Sequence, residues 1–226
     1  IRDRVQTFAK TALAAVVAGM LVNPAFAADK TLQWEVDQSA GISAADNVTI
    51  TETGGITLNK TYTDDGFSQT NENTKFTARK TLTNSGYVRG DAKLEAAKIV
   101  NNAQGEIEMG TVEILSPTAT EVITNAGTFS ADTLTTGVGN VTNTGKMTVK
   151  NAYDLQGKLS NSGTQLKLGT ANVTGELANS AKTGATVDVL NVQGTGRVTG
   201  TGTLTATGIL VLYLATCAGR MFYALP

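Results

Sequence analysis

Counted from one apolar position to its next equivalent, the chain repeats itself. Leu82, Val100, Ile123, Val141, Leu159 and Leu177 each stand two residues before an asparagine: Asn84, Asn102, Asn125, Asn143, Asn161 and Asn179. Successive copies are 18, 23, 18, 18 and 18 residues apart. A seventh copy places Val198 at the apolar position and Gly200 where the asparagine stands, and an eighth places Ile50 and Glu52 there. A glycine two residues before the apolar position recurs at Gly139, Gly157 and Gly175. Six residues beyond it a second apolar side chain follows at Val88, Phe129, Met147 and Leu204; Ile107 joins them with one inserted residue, and Gln165 misses with Leu166 beside it. Val, Ile, Leu and Thr flank these points, as pleated strands prefer. Asn and Gly share little except tolerance of the left-handed backbone region. Each copy is therefore expected to be a strand, a left-handed corner and a second strand.

A fixed-length unit with one kind of corner points to an all-β fold, a parallel β-helix (solenoid) of about 18-residue coils. One coil alone cannot bury its apolar side chains, but stacked coils about 4.8 Å apart form a continuous inner column. The asparagines then line up as a ladder of amides, each bond contributing about 0.5–1.5 kcal/mol. The longest spacing holds "LSPTATE" from Leu115 to Glu121, with Pro117, and is expected to bulge outward as a loop. The rival is an antiparallel sandwich, whose turns come roughly every 8–12 residues but need no repeated corner. Residues 76–207 are assigned to the solenoid, and the less periodic residues 28–75 to an N-terminal cap over its open end.

The two ends differ from this body. Arg2, Arg4 and Lys10 precede the apolar run from Thr11 to Val22, which Pro24 and small residues at Ala25 and Ala27 follow. As a helix that run spans about 18 Å, too short for a bilayer core of about 30 Å. Residues 1–27 thus read as a non-mature secretory signal segment, and the protein is expected to be exported. Residues 208–226, "GILVLYLATCAGRMFYALP", form an apolar tail without alternation. It is expected to be a truncation, a frame error or a short anchor, the last opposed by Arg220.

Composition removes several function classes. Without residues 1–27 the chain carries fifteen basic and eighteen acidic residues, a net charge of −3 with no basic stripe, so no nucleic acid is expected as partner. Membrane contact is expected only through export and the tail. Cys217 is the single cysteine, so no internal disulfide forms. The absence of histidine excludes Ser-His-Asp and Cys-His mechanisms and His-containing metal sites. No cofactor, metal or catalytic residue is assigned.

With its signal ending in "AFAA", its Thr/Asn/Gly-rich, cysteine-free body and its "V-x-N-x-G-x-hydrophobic" repeats, the stretch from 28 to about 207 resembles the passenger region of autotransporter and filamentous-haemagglutinin-type surface proteins. The resemblance implies a β-helix projecting from a Gram-negative outer membrane that acts as an adhesin or self-associates. Its partners would be host or bacterial surface molecules, protein or glycan, or further copies. The chain departs from the family in having no C-terminal translocator barrel of alternating membrane strands.

Two candidate chemistries remain. A β-helix can act on polysaccharide through carboxylates roughly 5–9.5 Å apart. Asp64 and Asp65 sit in what reads as a turn, and Asp132 and Asp154 are 22 residues apart, too far out of phase to stack. Arg89, Gly90 and Asp91 spell a cell-attachment tripeptide, which acts only at a protruding loop tip. The three "NVT" sites at Asn47, Asn140 and Asn172 follow from a chain rich in Asn and Thr.

Overall fold

The computed structural model describes residues 29–37, 44–58, 61–64, 67–70 and 75–212. The signal segment and most of the apolar tail lie outside them. The described chain winds into a parallel β-solenoid of about eight turns, spaced about 19 residues apart, with no helix. Every strand pair is parallel except one hairpin, Thr61–Asp64 with Phe67–Thr70. The turn expected at "TDDGF" falls on residues 65–66, which lie outside the described residues.

The inner columns follow from alternation. On the asparagine face Leu82 pairs with Ile99, Ile99 with Ile123, and the file continues through Val141, Leu159, Leu177 and Val198. On the next face Ile56, Val88, Ile107, Phe129, Met147, Leu166, Ala185 and Leu204 lie in register. Leu82, Ile99, Ile123, Val88, Ile107 and Met147 are wholly buried. Each such side chain contributes about 1.5–3 kcal/mol by leaving water. At residue 165 the outcome is a one-residue shift: Leu166 takes the inner place and Gln165 turns outward to bond Thr148.

Each coil has three strand segments, not the two expected from the repeat. The third face pairs Lys75–Ala78 with Lys93–Ala96, then Lys93–Ala96 with Thr111–Ile114, and further up Thr170–Val173 with Val189–Val192. Its core includes Leu94, Val112, Leu134, Tyr153, Ala171 and Leu190. Tyr153 is fully buried, its hydroxyl 2.9 Å from Thr136 Oγ1. Burial pushes its pKa up to about 12, opposed by the bond to Thr136. The folded pKa exceeds the unfolded value, so this contribution is complete below pH ~10 and is lost as pH rises toward ~12. Alkaline denaturation of the native chain is therefore expected to steepen in that window, and Tyr153→Phe to flatten it, as followed by far-UV circular dichroism.

The coils also begin earlier than expected. Lys30–Leu32 pairs with Val48–Ile50, and Glu35–Asp37 with Gly55–Leu58, so part of the stretch assigned to a cap is already solenoid. The hairpin is an excursion between the second and third coils. At the far end, residues 208–212 belong to the strand Leu204–Leu212, which extends the solenoid past residue 207. The loop at Leu115–Thr120 does interrupt the strands, and Ser116 within it has φ 49°.

The asparagines stack, with one change of membership. Asn101, not Asn102, occupies the column, because Ile99 rather than Val100 points inward. Asn102 turns outward and its Nδ2 donates to Ser85 Oγ at 2.8 Å. Below Asn84 the column holds Ile50, so Glu52 is not in the asparagine place either. From Asn84 upward each Nδ2 donates to the Oδ1 of the next asparagine: Asn84 to Asn101 at 2.9 Å, Asn101 to Asn125 at 2.8 Å, then Asn125 to Asn143, Asn143 to Asn161 and Asn161 to Asn179 at 2.7 Å each. All six are buried.

The left-handed corner is not found. Among the described residues only Ser116 has a positive φ outside glycine, so every ladder asparagine keeps ordinary strand geometry. Asn recurs because a buried amide supplies both a donor and an acceptor along the stack. Gly200, with φ 112°, ends the column above Asn179 and is the single ladder position in the left-handed region.

Candidate functional site

A residue placed between two inward positions must point outward. On the asparagine face that position is Thr49, Thr83, Val100, Thr124, Thr142, Ser160, Ala178 and Thr199, one per coil and in register. Just past each asparagine a second file carries Ser85, Asn102, Ala126, Thr144, Ser162 and Ser180. Thr144 and Ser180 donate their hydroxyls to the Asn125 and Asn161 carbonyls below, at 3.2 Å each. These bonds hold the side chains at fixed positions. Between the two files lies an open trough of about 280 Å³, lined by Thr142, Ser160, Ser162, Ala178, Ser180 and Gly200 over the ladder amides of Asn161 and Asn179. Its lining bears hydroxyls and no charge. It can hydrogen-bond a polar surface or an extended chain, and it holds no nucleophile–base pair.

A second depression lies where the second face meets the third. Gly90 and Gly110 leave its floor bare; a Cβ on Gly110 would sit 2.6 Å from the Asp91 carbonyl oxygen. Arg89, Asp91, Glu108, Asp132 and Lys150 line this cleft of about 170 Å³. Both of its cations are paired, Lys150 with a carboxylate of the cleft and Arg89 with one outside it. Lys150 Nζ lies 2.7 Å from Asp132 Oδ1, and that hydrogen-bonded carboxylate raises the ammonium pKa. Arg89 Nη2 lies 2.8 Å from Glu106 Oε2, which likewise holds the guanidinium charged, and its Cζ sits 4.6 Å over the Tyr87 ring. Asp91 and Glu108 are exposed and remain available.

The tripeptide Arg89, Gly90, Asp91 is thus placed inside the strand Tyr87–Asn101, not at a loop tip. Its arginine is engaged by Glu106, and Gly90, at φ 140°, packs against the Leu58 backbone, so the motif lacks the presentation that attachment requires. Asp132 and Asp154 do not come together: Asp132 pairs with Lys150, and Asp154 accepts from Asn172 at 2.7 Å. Asn172 in turn accepts from Asn191, which makes a short amide ladder on the outside. The other two "NVT" asparagines are also structural, Asn47 bonding Asp29 and Asn140 bonding the Ala119 carbonyl. Among the described residues no group of three or more His, Cys, Asp or Glu is arranged to hold a metal ion.

A charged staircase decorates the third face. Lys75, Glu95, Lys93 and Glu113 join across three coils at 3.2, 3.0 and 2.5 Å. Burial raises the Glu95 pKa, but hydrogen bonds from Lys93, Thr77 and Lys75 outweigh it and hold the carboxyl below its ordinary value. Sequence spacing did not reveal this network or the cleft, because both join residues whose separations vary from coil to coil.

No protein-family model matches the chain, no curated protein matches it, and no solved structure matches it.

Proposed function

We propose that this is an exported β-solenoid of the autotransporter-passenger kind, displayed at a cell surface, where it acts in adhesion or self-association without catalysis. The observation that carries the reading is the uncharged trough on the upper coils, flanked by the hydroxyls of Thr142, Ser160, Ser162 and Ser180 on stacked coils. A rigid array of weak hydrogen-bonding groups suits multivalent contact, in which many small contributions add through effective concentration. The partner is a polar surface molecule, glycan or protein, or another copy.

The test is attachment of beads coated with the chain to bacterial and host-cell surfaces. The combined variant Thr142→Lys, Ser160→Lys and Ser162→Lys is expected to lower attachment about tenfold, since it loses several summed contacts, while its thermal midpoint stays unchanged. Full attachment by that variant would defeat the reading.

The mixed-charge cleft supports a second reading, a polysaccharide-acting enzyme using Asp91 and Glu108. Release of reducing or unsaturated sugar ends by the purified chain, lost in Asp91→Asn, would favour it over adhesion.

A further inference from the structure

The second face changes sign along the rod. Over four consecutive coils in its middle the outward charges are, in ascending order, Glu106 with Glu108, then Asp132, then Lys146 with Lys150, then Lys167. The lower two coils thus carry only carboxylates on this face and the upper two only ammonium groups. Glu108, Lys146, Lys150 and Lys167 are exposed. Glu108, Ser130, Thr148 and Lys167 form one outward file, so the change of sign falls between two short hydroxyl side chains. Asp132 and Lys150 stand beside that file, each following one of the paired residues Ala131 and Val149.

We infer that this strip is a contact between two copies lying side by side with their long axes antiparallel. The two-fold axis runs along the strands, between the coils of Ser130 and Thr148. Such a rotation keeps each file opposite itself and inverts the order of the coils. Glu108 then faces Lys167 of the other copy, and this happens twice. The Asp132–Lys150 pair, 2.7 Å apart, meets its own image reversed, which makes a square of alternating charge. Lys146 falls opposite Thr128, one coil or about 4.8 Å from Glu106. Rods packed parallel would set Glu108 on Glu108 and Lys167 on Lys167, so the charges select the antiparallel arrangement. The occupant is a second copy because the match needs both signs at equal distances from one line. A partner of uniform charge would meet its own sign on half of the strip. One coil further out Asp91 comes opposite Asp188, which confines the contact to these four coils. The contact is isologous and closes at a dimer. A strip four coils high and five residues wide covers roughly 300 Å² per copy, against about 800 Å² in a stable complex. It is therefore weak in solution and gains strength where many copies share a surface.

The inference gives the self-association named above a surface of its own and does not depend on the trough. Sedimentation of the 226-residue chain at rising concentration is expected to show a weak monomer–dimer equilibrium that declines as salt is added. Glu108→Lys and, separately, Lys167→Glu should each weaken dimerisation at least about tenfold, since each brings like charges together at both ends of the strip. The double variant Glu108→Lys with Lys167→Glu restores the pairs and should bring the dimer back. All of these changes are at exposed positions, so the unfolding midpoint, measured alongside, should not move. A monomer at every concentration, a dimer indifferent to both single reversals, or a double variant as impaired as the singles overturns the inference. Species beyond a dimer also overturn it. The trough variant separates the two ideas: it is expected to lose bead attachment and keep the dimer, and if it keeps both, the reading of the trough fails while the dimer stands.

Discussion

Asn143→Asp is expected to destabilise the chain by about 3 kcal/mol at neutral pH and to recover much of that loss in acid. Asn143 donates to Asn161 Oδ1 at 2.7 Å and to the Gln165 carbonyl at 3.0 Å, and it accepts from Asn125 at 2.7 Å. A carboxylate can keep only the accepted bond and would face two oxygens without a proton between them. Burial and those oxygens raise the folded pKa of the new acid above its unfolded value of about 3.9. By linkage the variant is most stable below that unfolded value and loses stability as pH rises through the folded one. Urea denaturation at several pH values measures this, and a pH-independent deficit would contradict the ladder. Asn143→Gly and Asn143→Val should each cost about 2–4 kcal/mol, because both leave the Asn125 donor and the Asn161 acceptor poorly paired. Glycine gives no relief, since the native φ is not positive.

Gly145→Ala is expected to cost about 3 kcal/mol or more, the larger of two glycine effects. Gly145 has an ordinary φ, yet a Cβ there would sit 2.1 Å from the Gly127 carbonyl oxygen and 2.5 Å from that of Ala126. Both contacts are backbone, so neither can swing aside. The same file runs through Gly86, Gly105, Gly127 and Gly163, each resting on a carbonyl of the coil below. Gly194 is the contrast: φ is +60°, but nothing lies within 4 Å of its Cβ position. Gly194→Ala should cost only about 1 kcal/mol, a backbone penalty alone. Thermal melts of the two variants rank them, and a reversed order would show that backbone freedom rather than contact selects these glycines.

The hydrophobic spacing carried most of the architecture. An apolar residue every eighteen positions with a polar partner two places on already implies stacked coils, and the files through Val141, Leu159 and Leu177 stand where that spacing puts them. It failed where chemistry is degenerate. "IVNN" fits the apolar-x-Asn pattern in two registers, and only packing separates Ile99 and Asn101 from Val100 and Asn102. The third face stayed hidden because its inner residues mix Leu, Val, Tyr and Ala at uneven spacing. The exchange of Asn for Gly suggested a backbone cause, whereas the asparagine is held by its side chain. The trough was legible in principle, as the Thr and Ser residues beside each asparagine. The cleft was not, since it depends on two glycines being bare at a corner.

The ladder points one way. Every rung places its N–H toward the C-terminal end, and the second proton of most amides is committed to a main-chain carbonyl: Glu106, Thr128, Lys146, Gln165 and Thr203. No asparagine can therefore invert by itself without setting donor against donor on one side and oxygen against oxygen on the other. Asn84 Oδ1, buried above Ile50 with no partner, is where this polarity begins. The interior thus behaves as a one-way thread: its sense is set jointly by all rungs, and a fault at any level is felt by its neighbours up and down the axis.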